Sequence, residues 1–128
     1  MRGRLDTSLG MDALNALTTI DQAGDDALAR APGVTLLDFG AERCMPCRAL
    51  VPVLAGLAEE YRGKVRIAAV DCDRDPELAE RFLVRSMPTL VVIRDGREVG
   101  RVVGLRPRAF VAGVLDRALA GHVAIAAP

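Results

Sequence analysis

Aromatic residues are nearly missing from this chain: its 128 residues include no tryptophan, one tyrosine and three phenylalanines. Stacking platforms for nucleobases and ring-lined cages for organic cations both need several aromatics on one surface, so both are excluded. With a single histidine, a His-rich metal centre is excluded too. An excess of one charge is also lacking. Lys+Arg and Asp+Glu number 17 each, and the formal net charge is +0. No block of like charge invites a phosphate backbone, and nucleic acid is not an expected partner. No apolar run approaches the ~20 residues that span a bilayer, so no membrane partner is expected. Arginines lie near the start, but Asp6 and Asp12 interrupt the segment that would have to be the apolar part of a signal peptide. A reducing cytoplasm is therefore the expected compartment.

What is present is a hydrophobic chain, 51% apolar, of a length that builds one domain and not two. Its three cysteines are too few for a disulfide scaffold, and an odd number cannot all pair within one molecule. The core must then be apolar, and the cysteines are free for chemistry.

Residues 1–13 read as a loose N-terminal arm, 14–121 as the domain, and 122–128 as a frayed tail. Leu14, Leu17 and Ile20 suit a short strand or a helical turn, and Asp21 is placed to cap a brief helix through Leu28 that Pro32-Gly33 stops. Val34 to Phe39 is a short run with β-branched and aromatic members, the pattern of a strand buried on both faces. A helix follows from Cys44–Pro46 to Gly63, with Leu50, Leu54, Leu57 and Tyr61 on one face and a kink expected at Pro52. Val65 to Val70 is a second buried strand, parallel to the first because a helix connects them. Asp75-Pro76-Glu77 opens another helix that turns Leu78, Ala79, Phe82 and Leu83 inward. Thr89 to Arg94, Asp95-Gly96 and Arg97 to Val103 predict a hairpin, and a last helix from Pro107 buries Phe110, Val111, Val114, Leu115 and Leu119. The order describes a three-layer α/β domain with a central mixed β-sheet flanked by helices.

Cys44-Met45-Pro46-Cys47 stands between the first strand and its helix. Two intervening residues permit a small reversible disulfide, and the free N–H groups of a helix start stabilise a thiolate on the first cysteine. Cys44 is thus the expected nucleophile, with Arg43 and Arg48 lowering its pKa further. Cys47, inside the first turn, is the expected resolving thiol. A zinc site from Cys44, Cys47, Cys72 and His122 has the right ligand count, but it lacks a second closely spaced ligand pair.

The run Asp38 to Arg48, then Pro52, Met87-Pro88-Thr89, Asp95-Gly96 and Gly104, resembles the thioredoxin family in order and spacing. The similarity covers residues 34–120, or 14–120 with the N-terminal segment included. It implies a thioredoxin fold and a protein-disulfide oxidoreductase working by dithiol–disulfide exchange, most simply a disulfide reductase. Cys44 attacks, Cys47 resolves, Asp38 is the base for Cys47, and Pro88 is the cis-proline beside the pair. Arg43, Met45, Pro46, Met87 and Gly104 would contact the substrate, with Arg106 nearby; the Met87 backbone would pair with an extended segment. The redox-active disulfide Cys44-Cys47 serves as the only cofactor. Partners are disulfide-containing proteins and a thioredoxin-reductase-like electron donor, since the chain has no flavin or nicotinamide motif. A monomer is expected.

Departures from the family pattern carry information as well. Arg43 stands where the family has tryptophan, Met45 where it has glycine, and Gly40 where it often has another aromatic. Ala69 replaces the lysine that commonly neighbours the buried aspartate, so Asp38 is expected to lack a cationic partner and to titrate above an ordinary aspartate. Cys72, between Asp71 and Asp73, is a structural thiol or an auxiliary redox thiol. A second class of function is a binding module that holds partners in the Met87-Pro88 groove without turnover.

Overall fold

The computed structural model describes residues 18–19, 30–122 and 124–125. Its centre is β2 (Val34–Gly40), buried at every position. Such a strand needs neighbours on both edges. It pairs in parallel with β3 (Val65–Asp71) and antiparallel with β4 (Thr89–Arg94), and β4 continues into β5 (Arg97–Val103). Short edge strands complete a mixed sheet in the order β1-β3-β2-β4-β5-β6, where β1 is Thr18–Thr19 and β6 is Ala124–Ile125.

Alternation along β2 decides what lies above and below. Val34 and Leu36 face one core, shared with Leu50, Leu54 and Leu57 of α1 (Met45–Glu60) and with Val111 and Leu115 of α3 (Arg108–Leu119). Leu37 and Phe39 face the other, against Leu78 and Ala79 of α2 (Pro76–Arg81). Two helices on one face and one on the other make the three layers. Tyr61 joins α1 to α3 by donating its hydroxyl to Asp116 Oδ1 at 2.6 Å.

The hairpin turn uses left-handed backbone at Asp95 (φ 50) and Gly96 (φ 85), the conformation that suits the twist of two antiparallel strands. It is also tied to the start of β2: Gly33 donates to Asp95 Oδ1 at 2.7 Å, and Asp95 N–H donates back to Gly33 at 2.9 Å.

Several expectations are corrected. Leu83 lies beyond the end of α2, takes φ 57 and is exposed, because a helix of six residues stops before its side chain could turn inward. Phe110 is also exposed, with the Arg106 guanidinium 4.9 Å from its ring centre; Ala118 is buried on α3, where Leu119 is only partly so. Asp75 caps α2 by position but makes no side-chain capping bond. Helix α1 ends at Glu60 rather than at Gly63; Pro52 lies inside it, where the sequence puts it, and its missing N–H deprives the Arg48 carbonyl of its helical donor. Within the tail read as frayed, Ala124–Ile125 pair in parallel with Gly100 and Arg101. The arm, Leu14, Leu17, Ile20 and the helix from Asp21 to Leu28 lie outside the described residues.

Candidate active site

The end of β2, the start of α1 and the start of β4 meet at one end of the sheet, beyond the last residue of its central strand. Gly40 closes β2, and Cys44 is the N-cap of α1, with extended backbone and its Sγ accepting the Cys47 N–H at 3.2 Å. Pro46 fits the first turn, where its missing N–H has no helical acceptor to serve. One helical turn brings the Cα atoms of Cys44 and Cys47 to 5.2 Å, and their sulfurs form a disulfide. The two cysteines differ in environment. Cys44 is half-buried, whereas Cys47 is 7% exposed and lies against Gly40. Arg43, Met45, Pro46 and Arg48 surround the pair as exposed side chains.

The Met87-Pro88 peptide bond is cis and leads into β4, whose first residue, Thr89, pairs with Phe39 of β2. Pro88 therefore stands at the same end of the sheet as the cysteines. Its carbonyl accepts the Gly104 N–H at 2.8 Å, which fixes the turn after β5 beside it. Gly104 has φ 86, conformation that a side chain strains, and no atom lies within 4 Å of the space a Cβ would take. Met45, Met87 and Leu105, each in a loop or helix start at this end, are exposed apolar side chains. Leu105 was not singled out from the sequence, because an apolar residue between glycine and arginine has no periodic signature.

Asp38 occupies a core position. It shares the α1-facing side of β2 with Leu36, and its lateral partners in the sheet are Ala69 and Leu90. Neither supplies a donor; Oδ1 is buried without a hydrogen-bond partner, and burial pushes the carboxyl up to about 6. An open pocket of about 480 Å³ has Asp38, Gly40, Cys47, Val51 and Ala69 in its lining. Its two signals, a glycine on β2 and an alanine on β3, are 29 residues apart in sequence and become one feature only when the strands pair.

Cys72 follows β3 and donates its N–H to Gly40 at 2.8 Å. Burial, then Asp71, Asp38, Asp73 and Asp75, push its thiol up to about 11. The four-ligand alternative is not assembled: Cys44 and Cys47 bond each other, and among the described residues no group of three or more His, Cys, Asp or Glu is arranged to hold a metal ion. No described helix is long and apolar enough to cross a membrane.

Known proteins share both the sequence and this geometry. The family model described as Thioredoxin matches residues 15–117. A thioredoxin of Staphylococcus aureus is 41% identical over 104 residues, covering 81% of this chain and 99% of that protein. Among solved structures, oxidised mitochondrial thioredoxin 3 of Saccharomyces cerevisiae superposes with a TM-score of 0.74 at 30% identity, covering 81% of this chain and 98% of that one. A chain from a study of thiol resolution in yeast mitochondrial 1-Cys peroxiredoxin via glutathione and thioredoxin systems gives 0.73 at 29% identity, covering 80% and 96%. Since the match takes in β1 to β5 as well as the bonded cysteine pair, the chain belongs to the thioredoxin family and is a thiol–disulfide oxidoreductase.

Proposed function

We propose that the protein works as a protein-disulfide reductase, with Cys44 as nucleophile, Cys47 as resolving thiol and Asp38 as the base that serves Cys47. The observation that carries this reading is the asymmetry of the pair. The sulfur that receives a helix N–H belongs to the half-buried Cys44, and the sheltered one to Cys47. In the reduced protein the Cys44 thiolate attacks a substrate disulfide, a mixed disulfide forms, and one substrate thiolate leaves. Cys47 then gives its proton to Asp38 and attacks the Cys44 sulfur, which releases the second substrate thiolate and leaves Cys44-Cys47 oxidised. A carboxyl near 6 is largely ionised at neutral pH and is still basic enough to take that proton.

Arg43, Met45, Pro46, Met87 and Gly104 contact the substrate in this scheme, and Leu105 extends their apolar surface. Two electrons leave the protein per turnover, so a thioredoxin-reductase-like protein must return them. We place the protein in the cytoplasm, as a monomer, with Cys72 structural and Pro88 shaping the substrate edge.

Insulin reduction with dithiothreitol tests the scheme. Cys44→Ser should abolish catalysis, and Cys47→Ser should accumulate a substrate adduct on Cys44, visible on non-reducing gels. Wild-type turnover no faster than that of dithiothreitol alone, with little change on Cys44→Ser, would overturn the reductase reading and favour a binding module.

A further inference from the structure

The charges at the active end of the sheet are sorted by side. Glu42, Arg48, Asp71 and Arg74 line one pocket, two of each sign. Asp73 and Asp75 raise the Cys72 pKa together with Asp71, so they too gather at the loop after β3. In the sheet, β3 borders one side of β2, and β4 and β5 lie on the other. On that other side, the loop into β4 (84–88) and the turn after β5 (104–107) contain Arg85 and Arg106 and no acid. Arg43 directly precedes Cys44. Several arginines elsewhere are matched to acids: Arg62 to Glu59, Arg94 to Asp95, Arg101 to Glu98 and Arg108 to Glu60. Among the described residues, Arg43, Arg85 and Arg106 form no ion pair.

Each of the three lies within two residues of an exposed apolar side chain: Arg43 of Met45, Arg85 of Met87 and Arg106 of Leu105. Arg106 is also held in place, its guanidinium 4.9 Å from the centre of the Phe110 ring, so it loses less freedom when an anion arrives. We propose that the substrate of this site is a cystine in a segment whose flanks are acidic, with carboxylates meeting these arginines while apolar side chains cover Met45, Met87 and Leu105. The proposal rests on the reductase reading and names its substrate class. A guanidinium can offer a carboxylate two parallel N–H donors, whereas a basic segment would meet like charge that no neighbouring acid offsets. The exchange itself is unchanged: the Cys44-Cys47 dithiol gives two electrons to the cystine, which leaves as two thiols.

Two disulfide-linked peptide dimers serve as probes, identical except that glutamates flank the central cysteine in one and lysines in the other. Each is mixed with excess reduced wild-type protein, quenched in acid and resolved by chromatography. Its rate is divided by the rate of the same peptide with dithiothreitol, which removes differences in intrinsic disulfide reactivity. On this scale the Glu peptide should be reduced about tenfold faster at about 20 mM ionic strength, and the preference should fall to about twofold or less at about 0.5 M salt. Arg43→Ser and Arg106→Ser should each lower the ratio by about two- to threefold, whereas Arg43→Lys and Arg106→Lys should keep most of it. Both peptides meet the same Cys44, so any change in its thiolate cancels in the ratio. Equal normalised rates, a preference for the Lys peptide, or a preference indifferent to salt would overturn the proposal and leave the reductase reading intact. Reduction of neither peptide would overturn the reductase reading and this proposal with it.

Discussion

Replacing Asp38 by asparagine should change the pH dependence of stability in a direction that few carboxylate substitutions share. In the folded protein burial raises this carboxyl from 3.8 to about 6, so the native state binds its proton more tightly than the unfolded chain does. Its stabilising contribution is therefore fully present below pH 3.8 and is lost as pH rises through about 6. The displacement corresponds to about 3 kcal/mol, from 1.36 kcal/mol for each pH unit. Asparagine does not titrate. Its amide would meet the same donor- and acceptor-poor surroundings, a cost of about 1–3 kcal/mol that does not vary with pH. The stability difference between variant and wild type should thus shift in favour of the variant by about 3 kcal/mol from about pH 3.5 to about pH 8. Urea unfolding of the oxidised proteins, followed by far-ultraviolet circular dichroism because the chain has no tryptophan, measures it. With an m-value of roughly 1–3 kcal/mol/M, the relative midpoint should move by about 1–3 M. A difference that stays flat across this range, or one that favours wild type as pH rises, would refute burial as the dominant influence on Asp38.

Two further outcomes follow from the packing. In the oxidised protein Cys72 is the remaining thiol, and with a pKa near 11 against an ordinary 9.0 it should react with iodoacetamide about a hundredfold more slowly than free cysteine at about pH 8; equal rates would show a thiolate that the surrounding acids fail to suppress. Leu54→Ala removes a fully buried side chain between α1 and the sheet, and should lower stability by about 2–5 kcal/mol in the same urea assay.

The layered fold was legible because its parts have local signatures. A six-residue run from Val34 to Phe39, a three-and-four spacing of leucines and an Asp-Gly pair between two alternating segments need no partner to be recognised. Misreadings fell at element ends. Leu83 and Phe110 carry apolar side chains at positions where helix length and entry angle, not hydrophobicity, decide which way a residue faces. The pairing of Ala124–Ile125 with β5 was invisible for a related reason: an alanine-rich ending has no strand signature until an open sheet edge lies beside it.

By itself, the sequence determined the order of strands and helices, the helix-start position of Cys44-Met45-Pro46-Cys47 and the family, since each is written in residue spacing along the chain. Only the tertiary structure decided what surrounds those residues. The register of β2 against β3 sets Ala69 beside Asp38, and the descent of α1 sets Cys47 against Gly40. Two small residues distant in sequence thereby line one pocket with Asp38, whose Oδ1 is left buried and unpartnered. Burial and electrostatics depend on what lies within a few ångströms, and that neighbourhood exists only once the strands have paired.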